Sequence, residues 1–182
     1  SANIVTDSIY SEIKSFDEFN NMIVSVEIDA TVFKYNVKKD ETLFFEIDGL
    51  KEIYYENELI SFSFIPSQQG YLKIFVLNES EVMLLYPYED KERDYLSDKK
   101  GQLFQKTEKV LFPIHEAFRP WSLREETENK NEENSTLIFV YTKNDIPFID
   151  PKINLKTILN WIYNIPIDQR VIQFENVLLK HP

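Results

Sequence analysis

One stretch, Leu59 to Pro87, limits the fold more than any other part of the chain. Ile60, Phe62 and Phe64 alternate with Ser61 and Ser63, the period of two that a half-buried strand requires. Pro66-Ser67-Gln68-Gln69-Gly70 then breaks the run with turn chemistry. Tyr71–Leu77 places Leu72, Ile74 and Val76 on one face and Tyr71, Lys73 and Phe75 on the other. The first face is expected to be core, and Lys73 is expected to stand on the surface. A polar turn, Asn78–Glu81, leads to the apolar run Val82–Tyr86, which Pro87 ends because proline cannot donate to a ladder. The stretch reads as three consecutive strands joined by two tight connections, and as the expected centre of a core. Burying each large apolar residue on the inward faces would contribute about 1.5–3 kcal/mol.

The same alternation recurs on both sides of this stretch. Val24, Val26, Ile28, Ala30 and Val32 alternate with polar residues, which predicts a strand over 23–32 with one face to solvent. Leu43, Phe45 and Ile47 predict another over 42–47, Asp48-Gly49 a turn, and 52–55 a short strand. Lys109–Phe112 before Pro113 is a further short strand. Thr136–Thr142 is apolar on both faces, as a central strand would be.

Two helices are expected. One lies within 7–21, from Ile9, Ile13 and Phe16 on one helical face and a Ser15–Glu18 capping pattern. The other follows Asp150-Pro151 as N-cap and first-turn proline. It carries Leu155, Ile158, Leu159 and Ile162 at helical spacing and closes at Pro166. Val171–Leu179 fits either a strand or a helix, and a strand completing a sheet is the preferred reading.

These elements predict a mainly β fold: an antiparallel β-sandwich, immunoglobulin-like or related, with a short helix near each terminus. The whole of 1–182 is read as one domain, with 1–22 an N-terminal extension and 150–182 a helix plus a strand.

A resemblance adds to this reading. Gly70-Tyr71-Leu72, then Ile74-Phe75, then Leu84-Leu85-Tyr86-Pro87 resemble the signature of the bacterial domain-of-unknown-function family numbered 4384, over roughly Lys51 to Phe148. The resemblance implies a β-sandwich-like module of bacterial envelope or secreted proteins, often joined to other domains. It brings no established activity and therefore no catalytic residues. The family's glycine-containing approach to its last strand has no counterpart between 114 and 135.

Composition narrows the function classes. A net charge of -11 argues against nucleic acid and against an anionic membrane surface, both of which need a basic footprint. No run of 18 apolar residues exists, so no transmembrane segment is expected. The absence of cysteine removes disulfides and thiolate chemistry. The chain starts Ser1-Ala2-Asn3, a start with which a removed signal peptide is compatible.

Motifs for chemistry are sparse. His115 beside Glu116 and His181 near the end supply no triad pattern, so no catalytic residue is assigned. Glu89, Asp90, Glu92, Asp94 and Asp98 lack the spacing of a calcium loop and are interleaved with lysine and arginine, so no metal site is assigned. Three scattered glycines build no phosphate cradle, and no cofactor is expected. The charged runs 88–105 and 124–134 read as loops. The sequons at Asn78 and Asn134 read as chance in a bacterial chain.

Aromatic residues remain. Tyr86 and Tyr88 flank Pro87 at a strand end, and Trp121 sits in a polar segment. Such rings, if exposed at a sandwich rim, would form a platform for a sugar or a partner protein. The expected function is a non-catalytic binding or protein-interaction module, periplasmic, cell-surface or secreted. Tyr86, Tyr88 and Trp121 would be its binding residues, and another envelope protein or a glycan its partner. The alternative is a carbohydrate-active or other small hydrolytic enzyme on the same scaffold, which fold alone does not exclude.

Overall fold

The computed structural model describes residues 2–16, 22–35, 38–78, 82–88, 102–114, 121–122, 132–149 and 153–180. The chain divides into two compact units, Ser1–Lys39 and Asp40–Pro182. The fold is mainly β, with one helix among the described residues.

The first unit is an antiparallel ribbon of β1 (Ala2–Phe16) and β2 (Met22–Tyr35), paired from Ala2↔Tyr35 to Phe16↔Met22 with a register shift between Val5 and Asp7. The strand expected over 23–32 is present. The helix expected within 7–21 is not: residues 2–16 are extended, and 17–21 lie outside the described residues. The apolar spacing of Ile9 and Ile13 satisfies a period of two as well as one of four. Pairing with β2 along its whole length supplies the backbone partners that local propensity would otherwise have found in a helix.

The second unit holds two principal sheets. The larger has the order β4-β12-β11-β7-β8, built from β4 (Ile53–Tyr55), β7 (Tyr71–Leu77), β8 (Val82–Tyr86), β11 (Glu132–Thr142) and β12 (Arg170–Lys180). The smaller has the order β3-β6-β9, built from β3 (Phe45–Asp48), β6 (Phe62–Pro66) and β9 (Val110–Phe112). Two short strands, β5 (Leu59–Ile60) and β10 (Trp121–Ser122), pair beside them. β11 is central, flanked by β12 and β7, as its two apolar faces predicted, and it begins within the run expected to be loop.

The connections differ from expectation at one place. β6 and β7 do not form a hairpin: β6 lies between β3 and β9 of the smaller sheet, and β7 lies between β11 and β8 of the larger. The turn Ser67–Gly70 carries the chain from one sheet to the other. The second connection, β7 to β8, does join an antiparallel pair.

The two sheets share one core. From the smaller sheet come Phe45, Phe62, Phe64 and Phe112; from the larger come Leu72, Ile74, Val76, Leu137, Phe139, Tyr141 and Val177. The junction is aromatic: Phe62 meets Phe139 edge-on with ring centroids 5.4 Å apart, and Phe64 meets Tyr141 at 5.3 Å. Such pairs add about 0.5–1.5 kcal/mol beyond their burial.

The opposite face of the larger sheet is covered by the helix α1 (Leu155–Asn164). Ile158 and Ile162, with Ile165 beyond the helix end, pack on Phe75, Ile138 and Val140. The helix starts one turn later than Asp150-Pro151 suggested. Asn154 is the cap: its side-chain oxygen accepts from Thr157 N at 3.0 Å, while Thr157 Oγ1 accepts from Asn154 N at 3.1 Å. Residues 150–152 lie outside the described residues. At the other end the last turn has no basic residue of its own. Arg170, from the start of β12, donates to the carbonyls of Ile162 and Ile165 and so supplies the missing cation.

Covering this second face buries Lys73, which is only 8 % exposed rather than at the surface. Its Nζ stands 3.6 Å from Asp145 and 5.7 Å from the centre of the Trp161 ring. Burial pulls the Lys73 ammonium below its ordinary lysine range, and Asp145 opposes that shift.

Candidate functional site at the open edge of the larger sheet

Of the expected aromatic platform, two members are core. Tyr86 is 2 % exposed; its ring stands edge-on to Phe112 at 5.1 Å and its hydroxyl donates to Gln102 Oε1 at 3.2 Å. Trp121 is 7 % exposed and lies between Phe62 and Phe112, 6.1 Å from each. Tyr88 is half-buried. The three rings therefore do not form an exposed cluster. Tyr86 is drawn inward because it ends an inward-facing strand position opposite Ile74. Trp121 is drawn in because pairing with Ile60 turns it into the same core. His115, Arg119, His181 and the acids between 89 and 98 lie outside the described residues. Among the described residues no three His, Cys, Asp or Glu side chains gather as metal ligands would.

The surface that stands out instead belongs to β12. This strand pairs with β11 along its full length, from Arg170↔Thr142 to Lys180↔Glu132. On its outer side β4 pairs only with Leu178, Leu179 and Lys180. Leu178 N donates outward to Glu52 O at 2.8 Å. Backbone groups alternate sides along a strand, so Ile172, Phe174 and Asn176 also direct their N–H and C=O outward. Among the described residues no strand pairs with that side of β12 between Arg170 and Val177.

The side chains along this edge follow the same alternation. Val177 and Leu179 enter the shared core, and Val171 packs against it. Ile172 packs under the helix. Phe174 lies on the helix-side face, beside Ile138 of β11, yet the helix does not reach it and it is 52 % exposed. Gln173 and Glu175 share a hydrogen bond from Gln173 Nε2 to Glu175 Oε1 at 2.5 Å. Arg170 closes one end of the open segment; burial lowers its guanidinium from the ordinary arginine range, opposed by the Tyr163 ring against which it stacks. β4 closes the other end. What remains is a short run of main-chain donors and acceptors with no strand partner among the described residues, centred on a half-exposed phenylalanine. Natural sheets normally shield such an edge. At the opposite end of the sheet β8 is short, and its pairing with β7 is interrupted by a register shift between Ile74 and Phe75.

No family model matches the chain, and no curated protein matches it. A solved structure described as "AvmM Catalyzes Macrocyclization in Alchivemycin A Biosynthesis" is similar over 82% of this chain and 95% of its own, at 13% identity and a TM-score of 0.35. A likeness that distant carries no argument about the present chain. No helix among the described residues is long and apolar enough to cross a membrane.

Proposed function

We propose that the chain is a non-catalytic protein-interaction module that takes up an extended segment along the open edge of β12. One observation carries the reading: Ile172, Phe174 and Asn176 present outward main-chain groups with no strand against them among the described residues, beside a half-exposed Phe174. Strand addition to such an edge draws affinity from main-chain hydrogen bonds and selectivity from alternate side chains. An aromatic residue at the centre is the usual anchor of such a contact. A glycan partner would have needed the ring platform of Tyr86 and Trp121, whose burial leaves a protein segment the better fit. The shared core of the two sheets supports a finer reading of the fold as an antiparallel β-sandwich, immunoglobulin-like or related. The bacterial envelope or secreted setting rests on the motif resemblance at Gly70–Leu72 and Leu84–Pro87.

The test is selection of extended peptides from a random library on the intact protein, followed by hydrogen exchange. Selected peptides should slow exchange of the Ile172, Phe174 and Asn176 amides. Asn176→Pro deletes one outward donor at a position where proline is tolerated and the hydrogen bond that Asn176 Oδ1 accepts from Thr136 Oγ1 at 2.9 Å; it should abolish capture while costing only about 1 kcal/mol of stability. Peptides that protect another surface, or that bind the proline variant equally well, would refute the edge reading. Turnover of a glycan by the intact chain would put the hydrolytic alternative first.

A further inference from the structure

We infer that Lys73 is a reactive amine that captures a small uncharged aldehyde, one for one, as a Schiff base, with Asp145 moving the protons of the condensation. The site lies under α1 and stands apart from the β12 edge.

Lys73 faces the helix side of β7, opposite Val140 of β11 and two residues before Phe75. It is nearly buried, whereas Asp145, 3.6 Å from its Nζ, is exposed. The carboxylate therefore connects a nearly dry amine to solvent. The Trp161 ring centre stands 5.7 Å from Nζ, and its Nε1 donates to Pro147 O at 3.1 Å, which fixes the ring. Phe75 and Phe148 meet that ring edge-on, at 5.9 and 5.7 Å. An amine against an apolar wall, with one carboxylate at its side, is the setting in which a lysine becomes a nucleophile. Burial lowers the Lys73 ammonium, with Asp145 opposing, so more of this amine is neutral near pH 7 than of a lysine in water. Packing gives no reason for the charge, since a buried ion pair stabilises little over an apolar residue of the same size.

The condensation balances without a redox partner. The Nζ lone pair forms a C–N bond to the carbonyl carbon as the C=O π pair moves onto oxygen. Asp145 takes the proton that nitrogen loses and gives it to that oxygen, leaving a carbinolamine. Asp145, reprotonated from solvent, then protonates the hydroxyl. The nitrogen lone pair forms the C=N bond as water leaves, and the iminium proton returns to the carboxylate. The sum is amine plus aldehyde giving imine plus water. The 3.6 Å separation is longer than a hydrogen bond, and pairs of this kind tighten when the reacting group is bound. A keto acid or a phosphate-bearing aldehyde would set a second negative charge beside Asp145 in a chain of net charge -11, so the captured carbonyl is uncharged. Its aliphatic part lies against the Trp161 ring.

The test is limited reductive labelling of the intact protein with propanal and cyanoborohydride at neutral pH, read lysine by lysine by mass spectrometry. Lys73 should label at least about tenfold faster than the exposed Lys106 and Lys156, a small part of what a positioned proton donor supplies. Asp145→Asn separates proton transfer from packing. It should slow propanal labelling of Lys73 about tenfold or more, while acylation of Lys73 by an uncharged activated ester, which requires no dehydration, proceeds no slower. Labelling of Lys73 no faster than that of Lys106 and Lys156 would show that burial only shields the amine, and would overturn the inference. An Asp145→Asn variant in which both reagents change alike would overturn it too, since Asp145 would then act on the packing and not on the proton.

Discussion

Replacing Gly70 with alanine probes the packing at the turn between the sheets. Gly70 exchanges two hydrogen bonds with Phe104, at 3.1 and 2.9 Å, and its Cα faces the edge of the buried Tyr141 ring. A Cβ there would lie 2.5 Å from Thr142 O and 2.8 Å from Tyr141 Cζ. The first neighbour is backbone of the central strand and cannot swing aside. The second is a ring whose hydroxyl donates to Gln68 O at 2.9 Å, and burial raises its phenol above the usual tyrosine range. Overpacking of this kind costs about 1–3 kcal/mol. Displacing the Tyr141 hydroxyl from Gln68 adds about 1 kcal/mol. Against these, alanine restricts the unfolded chain by about 0.4–1 kcal/mol. The net is about 2 kcal/mol of destabilisation. For a unit of this size that lowers Tm by roughly 4–8 °C. Urea unfolding followed by tryptophan fluorescence reads the loss, since Trp121 and Trp161 sit in the two apolar clusters. Tyr141→Leu should shrink the penalty of Gly70→Ala without abolishing it, because the Thr142 carbonyl remains. A variant that melts within about 1 °C of the parent, at this Tm sensitivity, would refute the argument.

Two further outcomes are expected. Lys73→Met should be neutral or stabilising, whereas Lys73→Asp should cost about 3 kcal/mol or more by burying a carboxylate beside Asp145. Because the folded state holds Lys73 below its ordinary range, the unfolded chain binds the extra proton. Stability should therefore rise as pH climbs toward the ordinary lysine range, and chemical denaturation at alkaline pH should find that rise missing from Lys73→Met. Asp40 shows the opposite case. Its carboxylate is held well below the usual range, chiefly by the hydrogen bond from Lys143 Nζ at 2.6 Å and then by Thr42. Its contribution is present above the ordinary aspartate range and is lost as pH falls below it, so the acid-side slope of stability should be shallower in Asp40→Asn.

Much of the strand content was legible because alternation survives wherever one face is dry. The strand at β2, the inward set Leu72, Ile74 and Val76, and the central position of β11 follow from period two and from apolarity on both sides. What alternation does not encode is what lies against the second face. Lys73 and Phe75 share a side of β7, and only the return of α1 over that side decides that both are buried. Ile9 and Ile13 satisfy two periods at once, and the long-range partner β2 chose between them. The open edge was less legible still. The run Val171–Asn176 carries the alternation of a strand, with an aromatic among polar neighbours as its one signal. Whether a strand is an edge depends on where β4 stops, a fact written more than a hundred residues away.

That same placement of β4 sets the order in which the unit can be completed. The chain emerges from the ribosome with β4 among the early strands of this unit, yet its neighbour in the sheet is β12, more than a hundred residues later. Until β12 arrives, β4 has no ladder to join and the buried Tyr54 has no finished cover. The partner of β11 on that side is missing for the same interval. Sheet closure therefore waits until β12 has been made, a regime of non-local pairing that folds slowly and exposes unpaired strands while it lasts. Ribosome-stalled chains ending before residue 170 should bind holdase chaperones and resist no protease, and those extended past residue 180 and clear of the exit tunnel should become resistant in a single step.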